Sequence, residues 1–181
     1  MTNLEIYKIV RDIVLQVTGV PTVIRSNPNA PSPDGEYCAV SVTQTTRQRS
    51  EPAVRMTNVD QAGGYVGVRH ELIANCETDV SVNFYRGNAH EYARKMFGAN
   101  KLPSISELLY RKEVRWLKSS AVNNLNALQS ENWESRAQLS ITMMYKEVSY
   151  EDTNAIYKVP IQIQNEHGEV IVEDISSTPI S

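Results

Sequence analysis

The sequence predicts an α+β fold with a mainly antiparallel sheet, followed by a C-terminal β-hairpin arm. Apolar residues recur at helical spacing in residues 6–17 and 89–97, and they alternate with polar residues in several other segments. The 181 residues suffice for one domain with an ordinary core. We therefore expect a domain over residues 1–150 and an extension over residues 151–181 that contacts neighbouring subunits.

The first helix has signals at both ends. Thr2 and Glu5 have the spacing of a capping box, and Gly19 is typical of the residue that follows a helix. Between these ends the apolar residues share one helical face: Ile6, Ile9, Val10, Ile13, Val14 and Val17. We expect this face to dock on a sheet.

The next segments predict a connection, a strand and a contact surface. Residues 21–35 are rich in Pro, Asn and Asp, so we expect an ordered but irregular path. Residues 37–46 alternate apolar and polar side chains, as a half-buried strand does. Residues 47–64 have no sustained period and predict a long loop or an extended hairpin tip.

The middle of the chain predicts strands and then a helix. Residues 65–75 and 80–86 are strand-like and form either one long bent strand or a hairpin. We expect Asn88 to cap the second helix. Its apolar face is predicted to contain Ala89, Tyr92, Ala93, Met96 and Phe97.

Later segments add a short helix and the strongest strand pattern. Ser104 and Glu107 have capping-box spacing and predict a helix start, and residues 114–117 look extended. Residues 137–145 alternate most regularly, so we expect them to form a central strand. Residues 157–172 alternate around an Asn-Glu-His-Gly turn, which predicts the terminal hairpin.

Composition excludes several classes of protein. There are 18 Lys and Arg residues against 21 Asp and Glu residues, so no overall positive field favours DNA wrapping. The N-terminus is charged too early for a signal peptide, and no apolar run is long enough for a membrane span. Cys38 and Cys76 lie in strand-like patterns and are expected to be free, buried thiols.

No catalytic pattern is apparent, so we expect neither an enzyme nor a cofactor. His70, Cys76 and Asp79 do not have the spacing of a zinc site, and no glycine-flanked serine predicts a nucleophile. Trp116 lies near Arg115 and Lys118, a combination that could bind a nucleic acid by stacking and charge pairing. We expect instead that Trp116 is packed within the protein.

Two segments carry a family resemblance. One is Asn27-Pro-Asn-Ala-Pro-Ser-Pro-Asp-Gly-Glu-Tyr37, which leads into a strand, and the other is Glu131-Asn-Trp-Glu-Ser-Arg-Ala137, which leads into the alternating strand. Together with the order of elements, they resemble the phage neck-terminator family, which is related in fold to tail-terminator and tail-completion proteins. The resemblance covers about residues 3 to 148. The matching positions are Asn29, Ala30, Pro31, Tyr37, Trp133, Glu134 and Arg136.

The resemblance implies a structural virion protein, made in the host cytoplasm, with helices packed on one face of its sheet. It implies a homo-oligomeric, hexameric ring that caps the tail tube at the neck. The implied partners are the tail tube protein, the head-tail connector or adaptor proteins and the tail sheath, and genomic DNA passes through the lumen without sequence-specific binding. The matching residues are expected to be architectural, with Glu134 and Arg136 sharing a strand face and satisfying charges at a contact.

Other functions stay open. A head-completion or adaptor protein of the connector would share the size and charge of this chain. A small phage nucleic-acid-processing enzyme would need clustered carboxylates with a metal, for which Glu71, Glu77 and Asp79 are the candidates. A cytoplasmic binding module would be a monomer.

Overall fold

The helices and strands lie close to where the sequence patterns predict them. A computed structural model describes residues 1–26, 31–47, 52–61, 65–129, 132–154, 163–164 and 170–172. The elements are α1 (Asn3–Thr18), β1 (Thr22–Arg25), β2 (Tyr37–Arg47), β3 (Ala53–Gln61), β4 (Tyr65–Tyr85), α2 (Ala89–Phe97), α3 (Pro103–Arg111), β5 (Val114–Ser119), β6 (Asn123–Asn124), β7 (Ala127–Gln129), β8 (Asn132–Glu134), β9 (Arg136–Asn154), β10 (Ile163–Gln164) and β11 (Val170–Val172). The predicted α+β class is confirmed.

Helix α1 shows how the local signals act. The amide of Glu5 donates to Thr2 Oγ1 at 3.3 Å and the amide of Thr2 donates to Glu5 Oε2 at 2.7 Å, so the predicted capping box is complete. The hydrogen bond from the Thr2 amide lowers the pKa of the Glu5 carboxyl. Gly19 ends the helix at φ 71°, a left-handed conformation that favours glycine.

The strands form a mixed sheet around β4. In the described residues, β1, β2, β4, β9 and β5 follow one another across it, while β3 pairs with β4 and β6 pairs with β9. β1 runs parallel to β2, whereas β2 and β3 run antiparallel to β4, and β5 runs antiparallel to β9. Strand β9 therefore has a neighbour on each side, as its alternating pattern predicts.

One face of the sheet carries the hydrophobic core. Every second residue of β9 between positions 137 and 145 is buried, and so is every second residue of β4 between positions 74 and 84. The core joins these strands to all three helices, and its largest fully buried side chains include Ile6, Ile13, Phe84, Met96, Ile105, Leu139, Ile141 and Met143. The helices thus pack on one face of the sheet, in agreement with the expectation.

The residues between these core positions give the opposite face a polar character. Ser81 and Asn83 are buried, and Ser81 Oγ accepts hydrogen bonds from Asn83 Nδ2 at 3.0 Å and from Gln138 Nε2 at 2.9 Å. Thr142 donates to Asp79 Oδ1 at 2.6 Å. Buried polar side chains are stabilised when they are paired in this way.

The chain divides into two compact units. The first consists of Met1–Glu51 with Ala74–Glu147, and it contains the three helices and the core. The second consists of Pro52–Ile73 with Val148–Ser181. The division expected at residue 150 stays a prediction.

In the second unit, β3 pairs along its whole length with the first part of β4, from Ala53 opposite Ile73 to Gln61 opposite Tyr65. The guanidinium of Arg69 makes two hydrogen bonds to the Asp152 carboxylate, at 2.7 and 2.9 Å, and lies 4.7 Å from the ring centroid of Tyr150. Strands β10 and β11 are antiparallel, as the predicted hairpin requires. The rest of the predicted hairpin, residues 157–162 and the turn at residues 165–168, lies outside the described residues.

Some predictions need correction. Residues 22–25 were expected to be irregular but form β1, because parallel pairing with residues 37–40 supplies hydrogen bonds that no local pattern reveals. Residues 53–61 form a strand that pairs with β4, so of the two interpretations of this region the hairpin is correct and the long loop is wrong. Residues 65–85 form one continuous strand rather than a hairpin.

The start of α3 also differs from the prediction. Leu102 is the N-cap and Pro103 is the first helical residue, so Ser104 and Glu107 form no capping box. Glu107 instead pairs with Arg111 one turn later. Asn88 does occupy the N-cap of α2, but its side chain makes no capping hydrogen bond.

Candidate functional site

The turn after β4 has an unusual backbone. Arg86 and Gly87 have φ values of 64° and 45°, so both lie in the left-handed region. A residue with a Cβ is strained there by about 1–2 kcal/mol. The Arg86 amide donates to the Ser135 carbonyl at 2.7 Å, which joins this turn to the connection between β8 and β9.

The side chain of Arg86 joins three segments that are distant in sequence. Its Nε donates to Glu134 Oε1 at 3.0 Å, and its Nη1 donates to the carbonyl of Pro33 at 2.7 Å. The Glu134 side chain is only 12% exposed, so its charge depends on this partner. The two segments that carry the family resemblance therefore meet at Arg86.

Two tyrosines and two arginines form a stack beside this ion pair. The rings of Tyr37 and Tyr85 are parallel within 5°, with centroids 4.6 Å apart. The Arg86 guanidinium carbon lies 5.7 Å from the Tyr37 centroid, and that of Arg136 lies 4.8 Å from the Tyr85 centroid. Both distances permit cation–π attraction. We call these residues the tyrosine–arginine stack.

The hydroxyl groups of this region favour their neutral form. Burial raises the pKa of Tyr37 above its ordinary value. Tyr92 donates to Glu36 Oε2 at 2.5 Å, and this hydrogen bond raises the pKa of Tyr92. Both shifts favour the neutral hydroxyl form, of Tyr37 and of Tyr92.

Glu36 fixes the start of α2. Its Oε1 accepts a hydrogen bond from the Asn88 amide at 3.2 Å, which replaces the side-chain cap that Asn88 was expected to supply. A Cβ added to Gly87 would lie 1.7 Å from Glu36 Oε1. Glycine is thus required by both the positive φ and the adjacent carboxylate.

The predicted residues have different outcomes. Tyr37, Glu134 and Arg136 come together in one place, but Glu134 ends β8 and Arg136 begins β9, so the expectation that they share a strand face is wrong. Trp133 is 74% exposed on β8, and Pro31 is exposed before β2. Asn29 and Ala30 lie outside the described residues. The architectural role of all these positions stays a prediction.

Sequence reasoning missed Arg86, Tyr85 and Glu36. Arg86 was taken as the end of a strand, because an arginine in a left-handed turn has no local pattern. The dipeptide Arg86-Gly87 before a helix was the available signal for a turn, but it does not identify the partner of the arginine.

The described residues bear on two kinds of chemistry, metal binding and thiol reactivity. No group of at least three His, Cys, Asp or Glu residues there could hold a metal ion. Cys38 and Cys76 are buried and form no disulfide in the described residues, as predicted. Burial raises the pKa of the Cys38 thiol, which disfavours a reactive thiolate. Trp116 is buried and donates to Ser119 Oγ at 3.0 Å, so it is a packed residue as expected.

None of the helices in the described part of the chain combines the length and apolar character needed to cross a bilayer.

Comparison with known proteins identifies the family. The family model described as "Phage neck terminator protein" matches residues 4–169, which includes nearly the whole chain. No curated protein matches the sequence. The chain therefore belongs to the phage neck terminator family, and by that membership it is a structural protein of the phage neck.

Proposed function

We propose that this protein is one subunit of a hexameric ring that caps the tail tube and joins it to the connector on the head side. The observation that carries the proposal is the exposed edge strand β3. It pairs with β4, and no other described strand pairs with its second edge, so within the described residues the amide and carbonyl groups of that edge are open to pairing. Such an edge accepts a strand from another molecule.

The side chains of β3 favour a protein partner. Val54 and Met56 are 58% and 66% exposed, although both are large and apolar. In the same unit, Val148 and Tyr150 are 50% and 67% exposed. Large apolar side chains exposed on an edge strand, as Val54 and Met56 are, are typical of a surface that is covered in an assembly.

A closed ring requires two different surfaces that fit each other. In a cyclic assembly each copy presents one surface to its left neighbour and another to its right neighbour. Strand β3 supplies one surface, and the edge strands β1 and β5 of the first unit are available in the next copy. Main-chain pairing between such edges tolerates variation in side chains, because the amides and carbonyls make the bonds.

This ring would perform three tasks at the neck. It ends polymerisation of the tube by covering the last tube ring, it binds a connector ring on its other side, and it leaves a lumen for the genome. The formal charge of −3 provides no general attraction for DNA, which suits a lumen through which DNA slides. The tube protein, the connector or adaptor proteins and the sheath are the proposed partners.

The test is to disrupt β3 without unfolding the protein. In Met56→Asp, an exposed methionine gains a charge that is unfavourable in a covered interface but is solvated in the free subunit. We expect the hexamer to give way to monomers in native mass spectrometry, with an unchanged melting temperature. Tyr110→Asp is the matched control, because Tyr110 is 84% exposed on α3 in the first unit.

A second variant tests the C-terminal extension. Truncation after Asn154 keeps β9 complete, including the Asp152 that binds Arg69. We expect the shortened chain to fold but to form neither rings nor complete necks. A truncated or Met56→Asp protein that assembles as well as the wild type would overturn the proposed interface.

An adaptor protein of the connector is the competing function within the structural class. It would bind the portal-side ring and not the tail tube. Binding of the purified ring to preformed tail tubes, measured by sedimentation, distinguishes the two, because only a terminator binds tube ends in the absence of the connector.

A further inference from the structure

A polar cleft lies on the face of the sheet opposite the core. It has a volume of about 480 Å³, and the residues that line it include Ser41, Ser81, Asn83, Tyr85, Gln138 and Arg136. Hydroxyl and amide groups of this kind orient a polar ligand through directional hydrogen bonds. All six residues belong to the first unit.

Arg136 differs from its counterpart at the other end of the tyrosine–arginine stack. Arg86 donates to Glu134 and to the Pro33 carbonyl, whereas the guanidinium of Arg136 donates no hydrogen bond to any described residue. Its Nε is buried and has no hydrogen-bond partner among the described residues. Arg136 as a whole is half-buried and lines the cleft, so its terminal guanidinium nitrogens are positioned for an acceptor that comes from outside the described residues.

We propose that Arg136 binds a carboxylate side chain from the C-terminal segment, residues 155–181, of a second copy of the chain. The proposal rests on the proposed ring and specifies one of its subunit contacts. Arginine and carboxylate form paired, charge-assisted hydrogen bonds, and Arg86 with Glu134 provides an example within the same stack.

Charge complementarity favours this segment as the occupant. It contains four of the 21 acidic residues of the chain, Glu166, Glu169, Glu173 and Asp174, but only one of the 18 Lys and Arg residues, Lys158. The rest of the chain therefore has 17 residues of each sign, and the segment carries the whole formal charge of −3. An acidic segment and an unpaired arginine complement each other.

A nucleic-acid phosphate is a weaker match. Arg136 is the only Lys or Arg among the described residues that line the cleft. Binding to a phosphate backbone depends on several cations that act together. One arginine surrounded by hydroxyl and amide groups fits a single carboxylate better.

The decisive experiment is a reciprocal charge swap in the full-length protein. The first variant is Arg136→Glu, and the second replaces Glu166, Glu169, Glu173 and Asp174 by lysine. Each alone should weaken ring association by about ten-fold or more per contact, the effect of disrupting a close charge pair at an interface. An equimolar mixture of the two should restore rings with alternating subunits, which native mass spectrometry resolves by mass.

Controls separate folding and general charge effects from the contact itself. Arg11→Glu makes the same charge change at an exposed position on α1, away from the proposed edge strands, and should leave the ring intact. Arg136→Gln removes the charge without adding a negative one, and circular dichroism verifies that each variant folds. The proposal would be overturned if Arg136→Glu and Arg136→Gln formed rings as stable as those of the wild type. It would also be overturned if the mixture failed to assemble while a single chain with both sets of changes assembled, because the contact would then lie within one copy.

A labelled peptide of residues 155–181 distinguishes this proposal from the ring itself. The wild type could bind the peptide, and Arg136→Gln lose that binding, while the wild type forms no ring. This outcome would support the peptide contact in the cleft and contradict the proposed ring. A wild-type ring with no dependence on Arg136 and no peptide binding would contradict the cleft alone. Binding of duplex DNA that depends on Arg136, without an effect on assembly, would also overturn the carboxylate assignment.

Discussion

Replacing Arg86 by alanine should destabilise the first unit substantially. The substitution removes the ion pair with Glu134 and the hydrogen bond to the Pro33 carbonyl, together with the contact over Tyr37. Hydrogen bonds of charged groups contribute about 1.5–3 kcal/mol each. Because the Arg86 side chain is 35% exposed, solvent weakens its ion pair, and we expect a loss of about 2–4 kcal/mol in the free energy of unfolding.

The left-handed backbone of Arg86 gives this prediction a second measurable part. Alanine keeps the strain at φ 64°, whereas glycine relieves about 1 kcal/mol of it. Arg86→Gly should therefore be more stable than Arg86→Ala, although both lose the same contacts. Urea denaturation followed by the fluorescence of the buried Trp116 measures both values.

The control for Arg86 is Arg94→Ala, which removes an exposed arginine from α2 and should change stability by less than about 0.5 kcal/mol. The reasoning fails if Arg86→Ala is as mild as this control, or if the glycine and alanine variants are equally stable.

Three further outcomes follow from particular contacts. Gly87→Ala should lower the free energy of unfolding by about 1–2 kcal/mol, because the added Cβ meets both a positive φ and a clash. Gly98 has open space and a negative φ, so the control Gly98→Ala should not destabilise the fold. Thermal melts of both variants measure the difference. The pKa of the Asp152 carboxyl, measured by NMR titration, should lie below its ordinary value and return to it in Arg69→Gln. Folding lowers this pKa, so the Arg69–Asp152 pair stabilises the folded state at pH values above the ordinary pKa of about 3.9. This stabilisation is lost as the pH falls through the pKa of the folded state. Ile13→Ala should lower the free energy of unfolding by about 2–5 kcal/mol, because this side chain is fully buried.

Much of the fold was predictable because its signals are local. The capping box at Thr2 and Glu5 and the alternation through residues 137–145 depend on neighbours in sequence, and the structure confirms both. Strand β1 was not predictable, since four residues become a strand only through pairing with β2. The single long β4 was left open for the same reason, because its partners determine whether the strand continues.

The candidate site was predictable only in part. The family resemblance indicated Tyr37, Glu134 and Arg136, and these residues do come together. The pairing of Glu134 with Arg86 was missed, because no local pattern links two residues so far apart in sequence. The actual pair depends on a left-handed turn 48 residues away from Glu134, which is a feature of the tertiary structure.

Cryo-electron microscopy of the neck of mature virions tests the structural role most directly. The proposed function predicts six copies of this chain in one closed ring at the head-proximal end of the tail tube, with β3 of each copy against its neighbour. Absence of the chain from the neck, or its presence there as isolated copies with β3 facing solvent, would contradict it.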